Sequence, residues 1–241
     1  MRWLVGLCLL LTVGTAAANL TARSWLIADS ELNIEAGENF YEVRSIASLT
    51  KLLTVMVALD DKTRHHSLVK LAMVRSSNSA AYKLCQRHSQ GYQGCIDAMN
   101  AKARWLGAIN TRVYEPTGLD PRNQSTAVDI ARIIRGASLY PEIVQVSQID
   151  TIKINKRRIA HNTNPLVTKY NTVVSKTGWT VRAGGCLAMI VDDRIIVLLG
   201  SKNTRTRVTE MQQLIESLPV TQWTTEPWMT TFQTTTFQNL V

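Results

Sequence analysis

Residues 45–54 read SIASLTKLLT, and within this largely apolar run Ser48 precedes Lys51 by three positions. Leu, Val and Met continue at helical spacing, so residues 48–61 are predicted to form a helix. Residues three apart lie on one helical face, which brings the lysine within reach of the serine hydroxyl. A partly desolvated lysine binds its proton less tightly and can serve as the base for a serine nucleophile. The pair alone also fits the start of an ordinary buried helix, because Ser-x-x-Lys occurs by chance in many proteins.

Two further short motifs carry polar groups suited to peptide chemistry. Ser76 and Asn78 lie in VRSSNSAA between two predicted helices, where the serine can pass a proton and the asparagine can donate to a substrate carbonyl. The same pattern is a common helix N-cap. Lys176, Thr177 and Gly178 lie in the predicted strand TVVSKTGWT and supply a positive charge, a hydroxyl and an unobstructed strand edge. Backbone donors at such an edge can form half of an oxyanion hole.

The three motifs occur in the order S-x-x-K, S-x-N and K-T-G, which is the set found in class A β-lactamases and penicillin-binding proteins. The middle motif is S-S-N, the form typical of the peptidases. The longer segments RSIASLTKLLT, AMNAKARWLGAINTRVYEPTGLDPRNQSTAVDIARII, HNTNPLV and SKTGWTVRAGGCLAMI extend the resemblance. The chain therefore resembles the low-molecular-mass penicillin-binding proteins, and among them the periplasmic murein D,D-endopeptidases, which are related to the D-alanyl-D-alanine carboxypeptidases.

This resemblance implies an α/β (α+β) fold of the β-lactamase/D,D-peptidase type, with an antiparallel sheet flanked by helices and a mainly helical lobe. The order of elements agrees, because β-prone runs at 23–29 and 172–201 enclose a series of helical segments. One sheet built from distant segments is therefore predicted. A hairpin is predicted at Asp192 and Asp193, and the segment 115–124, with two prolines and a glycine, is predicted to be a loop.

The resemblance also implies catalytic roles for the first two motifs. Ser48 would attack the D-Ala carbonyl to form an acyl-enzyme, and Lys51 would take its proton. Ser76 would relay a proton toward the leaving amine, and Asn78 would hold the peptide. Water would then release the product, so no metal or cofactor is expected.

Substrate binding is assigned by the same resemblance to the third motif. Lys176 and Thr177 would bind the terminal carboxylate or the adjacent polar groups, with Gly178 leaving the strand edge open. The backbone amides of Ser48 and Trp179 would form the oxyanion hole. The expected partners are peptidoglycan stem peptides, whose free carboxylates suit a net charge of +9, and β-lactams as covalent inhibitors. No nucleic-acid-binding signature was found, so nucleic acid is not an expected partner.

The N-terminal residues predict export. Arg2 is followed by an apolar run at 3–13 and by an A-x-A cleavage pattern, so residues 1–18 are predicted to be a signal peptide and the protein periplasmic. An uncleaved anchor is the alternative, although the apolar run is short for a membrane span. The peptidase domain is predicted over 19–221. The Thr-rich, aromatic segment 222–241 is predicted to be either a mobile tail or an added edge strand.

Removal of the signal peptide leaves three cysteines. Cys85 and Cys95 flank the loop-like stretch QRHSQGYQG and form the favoured disulfide pair in an oxidising compartment. Cys186, in GGCLAMIV, is predicted to be a small buried hydrophobic residue. His65, His66 and His88 lack metal-ligand spacing with one another. The basic run KINKRR at 153–158 is predicted to be a solvated face.

One departure from the family pattern lies between Lys51 and Ser76. Relatives typically carry several tens of residues more there, including a β-hairpin-like lobe beside the site. Either the cleft is naturally trimmed, or the lineage has lost activity and kept the motifs. Two functions follow: a peptidoglycan D,D-peptidase, with endopeptidase favoured over carboxypeptidase, or a catalytically weak wall-binding or β-lactam-sensing protein on the same fold.

Overall fold

A computed structural model describes residues 20–61, 65–155 and 158–218. The predicted signal peptide and the C-terminal segment 222–241 lie outside the described residues, and the proposed bounds of the domain stay a prediction. Each helix in the described part of the chain falls short of the length and apolar character needed to cross a bilayer.

The strands of the described chain form one large sheet and two small ones. They are β1 Ser24–Asp29, β2 Ile34–Glu38, β3 Arg44–Ser45, β4 Gln124–Ser125, β5 Thr151–Asn155, β6 Arg158–His161, β7 Thr172–Thr180, β8 Gly184–Val191 and β9 Arg194–Ser201. The large sheet is antiparallel throughout, in the order β2-β1-β9-β8-β7. Because β1 pairs with β9 along its whole length, distant segments of the chain meet inside one sheet, as predicted. The predicted hairpin is also confirmed, since Asp192 and Asp193 join β8 to β9.

Seven helices are described. They are α1 Lys51–Asp60, α2 His66–Val74, α3 Asn78–Gln86, α4 Gly91–Trp105, α5 Ala127–Ala137, α6 Pro141–Ser147 and α7 Thr204–Glu216. The sequence indicates most of their bounds. The hydroxyl of Thr126 caps α5 by accepting a hydrogen bond from the Asp129 amide at 3.0 Å, and Gly107, with φ +76°, follows the end of α4. α4 begins at Gly91, inside the stretch QRHSQGYQG that the sequence suggested was loop-like.

Apolar side chains pack on both faces of the large sheet. Along β1, Leu26 and Ala28 belong to a core shared with α1 and α5, whereas Trp25 and Ile27 belong to a second core under α7. This alternation is the period of two expected of a strand that is buried on both faces. Helix α1 is buried from Lys51 to Ala58, so its first residue lies in the interior of the protein.

The predicted disulfide is confirmed. Cys85 on α3 is bonded to Cys95 on α4, with their Cα atoms 5.3 Å apart. Cys186 on β8 is fully buried, and this burial raises the pKa of its thiol to about 11. A thiol held protonated in an apolar core is a packing residue, in agreement with the sequence analysis.

The basic run at 153–158 contains strand residues, which the sequence analysis did not predict. β5 and β6 form a two-stranded sheet in which Ile152 pairs with Ala160, and both of these side chains are buried. Lys153, which pairs with Ile159 next along the ladder, is exposed, so the solvated character was correct for this residue. Among the described side chains, each of the two strands has one buried residue, and the charged residues around it make the strand hard to recognise from the sequence.

Candidate active site

Ser48 lies in a short 3₁₀ turn, Ala47–Thr50, that leads directly into α1. The residue before it, Ala47, has φ +47°, a left-handed conformation that L residues adopt rarely. Two glycines pack against this turn. A Cβ added at Gly178 would lie 3.0 Å from Ser48 N, and one added at Gly118 would lie 1.9 Å from the Ala47 carbonyl oxygen. Ser48 is therefore held between β7 and the loop that contains Gly118.

The lysine predicted to act on Ser48 is in contact with it. Lys51 Nζ lies 2.6 Å from Ser48 Oγ, 2.8 Å from Asn78 Oδ1 and 2.5 Å from the Thr117 carbonyl oxygen. Its side chain is fully buried. The structure thus brings together Ser48, Lys51 and Asn78, and adds the main chain of Thr117, which the sequence analysis did not single out.

Burial changes the protonation of this lysine. Desolvation lowers the pKa of Lys51 from 10.5 to about 7, and the negative charge of Glu115 opposes part of this change. A neutral amine has two N–H donors and one lone pair. The Asn78 and Thr117 oxygens can accept the two N–H groups, which leaves the lone pair for the hydroxyl of Ser48. The arrangement suits a general base.

A second buried lysine lies beside the first. Lys176 Nζ is 2.8 Å from Ser76 Oγ and 2.8 Å from the Thr177 carbonyl oxygen, and the lysine is almost completely buried. Burial, the positive charge of Lys51 and that of Arg207 together hold the pKa of Lys176 well below its ordinary value. Ser76 itself has φ +54°, so its backbone is strained in a left-handed conformation. In this conformation its hydroxyl lies against the ammonium group of Lys176 on β7.

The S-S-N motif contains a helix cap beside the two residues predicted to belong to the site. Ser77 is the N-cap of α3, since its hydroxyl accepts a hydrogen bond from the Ala80 amide at 3.2 Å. Asn78 is the first residue of that helix and is exposed, and its side chain reaches back to Lys51. The helix cap therefore fixes the backbone from which the site asparagine projects.

The K-T-G segment forms the wall of the site on β7. The Thr177 hydroxyl donates to Thr163 Oγ1 at 2.6 Å, and Arg207 on α7 donates to the Gly178 carbonyl oxygen at 2.6 Å. Trp179 is half exposed. Since β7 is an edge strand, alternate backbone N–H groups point away from β8 and are open to a ligand.

The segment predicted only as a loop supplies further site residues. Glu115 accepts hydrogen bonds from the amides of Thr117 and Gly118, and Asn123 is fully buried beside it. The sequence signal that could have located them is a glutamate and an asparagine on either side of a Pro-Thr-Gly turn. No group of three or more metal-binding side chains occurs within the described residues.

These geometric features define a class, the serine peptidases that bind penicillin. A protein-family profile described as D-alanyl-D-alanine carboxypeptidase, peptidase family S11, matches residues 59–200. The chain belongs to this family, and it is a low-molecular-mass penicillin-binding protein with serine D,D-peptidase function. The profile match begins after Ser48 and Lys51, so the assignment of these two residues depends on the geometry above.

Curated relatives agree with the family. The D-alanyl-D-alanine endopeptidase of Escherichia coli K12 is 32% identical over an aligned region that covers 77% of this chain and 74% of that protein. The D-alanyl-D-alanine endopeptidase of Pseudomonas aeruginosa is 34% identical over an aligned region that covers 60% of this chain and 58% of that protein.

Solved structures share the fold. The Streptomyces K15 DD-transpeptidase superposes with a TM-score of 0.77 at 19% identity, covering 83% of this chain and 97% of that one. Penicillin-binding protein D2 from Listeria monocytogenes, in its ampicillin-bound form, superposes with a TM-score of 0.74 at 22% identity, with the same coverage. The predicted D,D-peptidase fold is confirmed.

Proposed function

We propose that this protein hydrolyses D,D-peptide bonds in peptidoglycan stem peptides through an acyl-enzyme on Ser48. The observation that carries the proposal is the 2.6 Å contact between Lys51 Nζ and Ser48 Oγ. Burial lowers the pKa of this lysine to about 7. At neutral pH a large fraction of this lysine is a free amine, so it can take the serine proton without help from a metal or a histidine.

Acylation follows from the contacts. Ser48 Oγ attacks the carbonyl carbon of D-Ala while its proton moves to Lys51 Nζ. The oxyanion is stabilised by the backbone amides of Ser48 and Trp179, between which Gly178 leaves space. A proton reaches the leaving amine through the hydroxyl of Ser76. Water then attacks the ester, which releases the acyl product and restores the serine.

Binding of the substrate is assigned to β7 and the start of α3. An extended stem peptide can pair with the free edge of β7, with Asn78 donating to it from the opposite side. Lys176 is too deeply buried for its ammonium group to lie at the surface of the cleft. It contacts Ser76 Oγ and the Thr177 carbonyl oxygen, and these two residues connect it to a bound carboxylate. β-Lactams, whose carboxylate and reactive carbonyl resemble those of the peptide, would acylate the same serine.

We further propose that the crosslinking bond is the preferred substrate and that the protein acts in the periplasm. Two relatives at 32% and 34% identity are D-alanyl-D-alanine endopeptidases. Asn78, which contacts Lys51 from the start of α3, is exposed, so the site is open to solvent on this side. An open side gives room for the second stem peptide of a crosslink, which a carboxypeptidase does not need to hold.

Covalent labelling with a fluorescent penicillin tests the nucleophile. The wild-type protein should be labelled and Ser48→Ala should not. An unlabelled wild type, or undiminished labelling of the variant, would contradict the acyl-enzyme on Ser48. Labelling without any turnover of muropeptides would instead support a weak wall-binding or β-lactam-sensing protein.

Digestion of purified muropeptides separates the two peptidase activities. Crosslinked dimers and uncrosslinked pentapeptide monomers are incubated separately with the protein, and products are identified by liquid chromatography and mass spectrometry. We expect dimers to be converted to monomers. Release of terminal D-Ala alone, with the dimers persisting, would contradict the endopeptidase preference.

A further inference from the structure

Glu115, in the loop before α5, accepts hydrogen bonds on both oxygens of its carboxylate. Oε2 accepts from the Thr117 amide at 2.7 Å, and Oε1 accepts from the Gly118 amide at 2.5 Å and from the Asp120 amide at 3.3 Å. Asn123 Nδ2 also donates to Oε1, at 3.1 Å. One carboxylate thus fixes the backbone of the whole turn.

This turn touches the two residues that carry the chemistry. The Thr117 carbonyl oxygen lies 2.5 Å from Lys51 Nζ and 3.4 Å from Ser48 Oγ. The next residue, Gly118, packs so closely on Ala47 that a Cβ there would overlap the Ala47 carbonyl. The position of Glu115 therefore determines where the Thr117 carbonyl meets the lysine amine.

The turn is also attached to the segment around the nucleophile by Asn123. Its side-chain Nδ2 donates to Thr50 Oγ1 at 3.2 Å and to the Glu115 main-chain carbonyl oxygen at 2.8 Å. Its main-chain carbonyl oxygen accepts from the Ile46 backbone amide at 3.2 Å. The loop and the 3₁₀ turn are thus one hydrogen-bonded unit, in which Glu115 is the charged member.

Charged and titratable groups from several elements face this unit. Lys176 on β7 lies beside Lys51, and Arg207 on α7 lies behind Lys176. Tyr92 on α4 faces Glu115. Glu115 is negative among these positive groups, and it opposes the fall in the pKa of Lys51 that burial causes.

We propose that Glu115 is a positioning residue for the acylation step: its carboxylate holds the Thr117 carbonyl against Lys51 and Ser48, and its negative charge acts on that buried lysine. The inference rests on the proposed function, since it assigns Glu115 to the same reaction. Two substitutions at this position should separate the effect of the carboxylate's hydrogen bonds from the effect of its negative charge.

Glu115→Gln removes the charge and disturbs the turn. Because both oxygens accept backbone N–H groups, either orientation of the amide places an NH₂ group against a donor. We expect the limiting acylation rate by fluorescent penicillin to fall about tenfold to a hundredfold, as for a misplaced catalytic group. The acid limb of the pH profile should move to lower pH by roughly half a unit or more, because a negative charge that raised the pKa of Lys51 is gone.

Glu115→Asp keeps the charge but withdraws the oxygens by one methylene group. Its limiting rate should also fall, while its acid limb stays at the wild-type position. Glu38→Gln, an exposed glutamate on β2 at the opposite edge of the sheet from β7, is the matched control and should match wild type in both respects. Circular dichroism and thermal melting establish that each variant is folded.

A Glu115→Gln rate within about twofold of wild type, or an acid limb shared by Gln and wild type, would overturn the inference. Titration of Lys51 by NMR in protein labelled with ¹³C at lysine Cε decides the same point without catalysis. A lower pKa in Glu115→Gln than in wild type supports the inference, and an equal or higher one overturns it. If the wild type takes no penicillin label, the proposed function fails on its own, while this titration still tests Glu115.

Discussion

The burial of Lys51 gives the proposed reaction a defined dependence on pH. Burial lowers the pKa of the lysine from 10.5 to about 7, so below pH 7 the ammonium predominates and has no lone pair for the serine proton. We expect the rate of penicillin acylation to fall about tenfold for each pH unit below roughly pH 6 and to level off above roughly pH 8. Stopped-flow labelling between pH 5 and pH 9 measures this. A rate that is constant from pH 5 to pH 8 would rule out Lys51 as the base.

Gly118 is required by the close approach of the loop to the nucleophile. With φ +82° and a Cβ position 1.9 Å from the Ala47 carbonyl oxygen, Gly118→Ala must displace the 3₁₀ turn. We expect a loss of more than about 3 kcal/mol of unfolding free energy, together with slower acylation. Gly91→Ala is the control, since Gly91 also has a positive φ, +72°, but has open space around it. It should lose only about 1 kcal/mol. Equal losses in urea unfolding would show that backbone strain, not the contact, dominates.

At the residue scale, the sequence allowed prediction of those site residues whose side chains have a characteristic chemical function. Ser48, Lys51 and Asn78 were predicted from their motifs, and the structure places them in contact. The Thr117 carbonyl could not be predicted in this way, because every residue has a carbonyl and only the folded loop determines which one meets the lysine. Glu115 was not predicted for a related reason, since all but one of its hydrogen-bond donors are backbone amides.

At the scale of elements, the disulfide joins the helix that carries Asn78 to its neighbour. Cys85 and Cys95 are separated by 10 positions, and closing a loop of this size stabilises the fold by about 2–3 kcal/mol in the chain-entropy model. We expect Cys85→Ala/Cys95→Ala to lose that amount in urea unfolding and to keep most of its acylation rate, because the Ser77 cap still fixes the start of α3.

A reductant provides the control for this prediction. Dithiothreitol should destabilise the wild-type protein toward the double variant and leave the variant itself unchanged. Cys186, which is buried in β8, is present in both proteins and cancels in the comparison. A double variant as stable as the wild type would show that packing of α3 against α4, rather than the covalent link, holds these helices together.

The elements that the sequence analysis misjudged are those in which local composition disagrees with packing. The stretch GYQG suggested a loop, yet α4 begins at Gly91, because Cys95 and Ile96 must turn their side chains into the core. The β5 and β6 strands were not predicted, because charged residues surround them. One buried residue on each strand, among the described side chains, gives no alternating pattern. Strands β8 and β9 were predictable because each is a nearly continuous apolar run, and β7 because it is rich in valine and threonine.

At the scale of the whole molecule, the sheet order explains how distant motifs share one site. β1 and β9 pair inside the sheet, so β7 is left at one edge, where α1 begins and where the turn after α2 delivers Ser76. The order of the motifs along the chain could be matched to a family, but their meeting depends on long-range strand pairing. With this short connection after α1 the motif contacts are all present.

The net charge of +9 should act on the polymer substrate rather than on the chemical step. Purified sacculi present many carboxylates over distances longer than the screening length of about 10 Å at 0.1 M salt, so their attraction for a basic protein is sensitive to salt. We expect the dissociation constant for sacculi to rise about tenfold or more between 50 and 500 mM NaCl. Pelleting assays with Ser48→Ala measure this without digestion of the polymer. Acylation by penicillin, a small monovalent anion, should change by less than about threefold over the same range. Salt-independent binding to sacculi would show instead that recognition is confined to the cleft, with the basic surface playing no part in it.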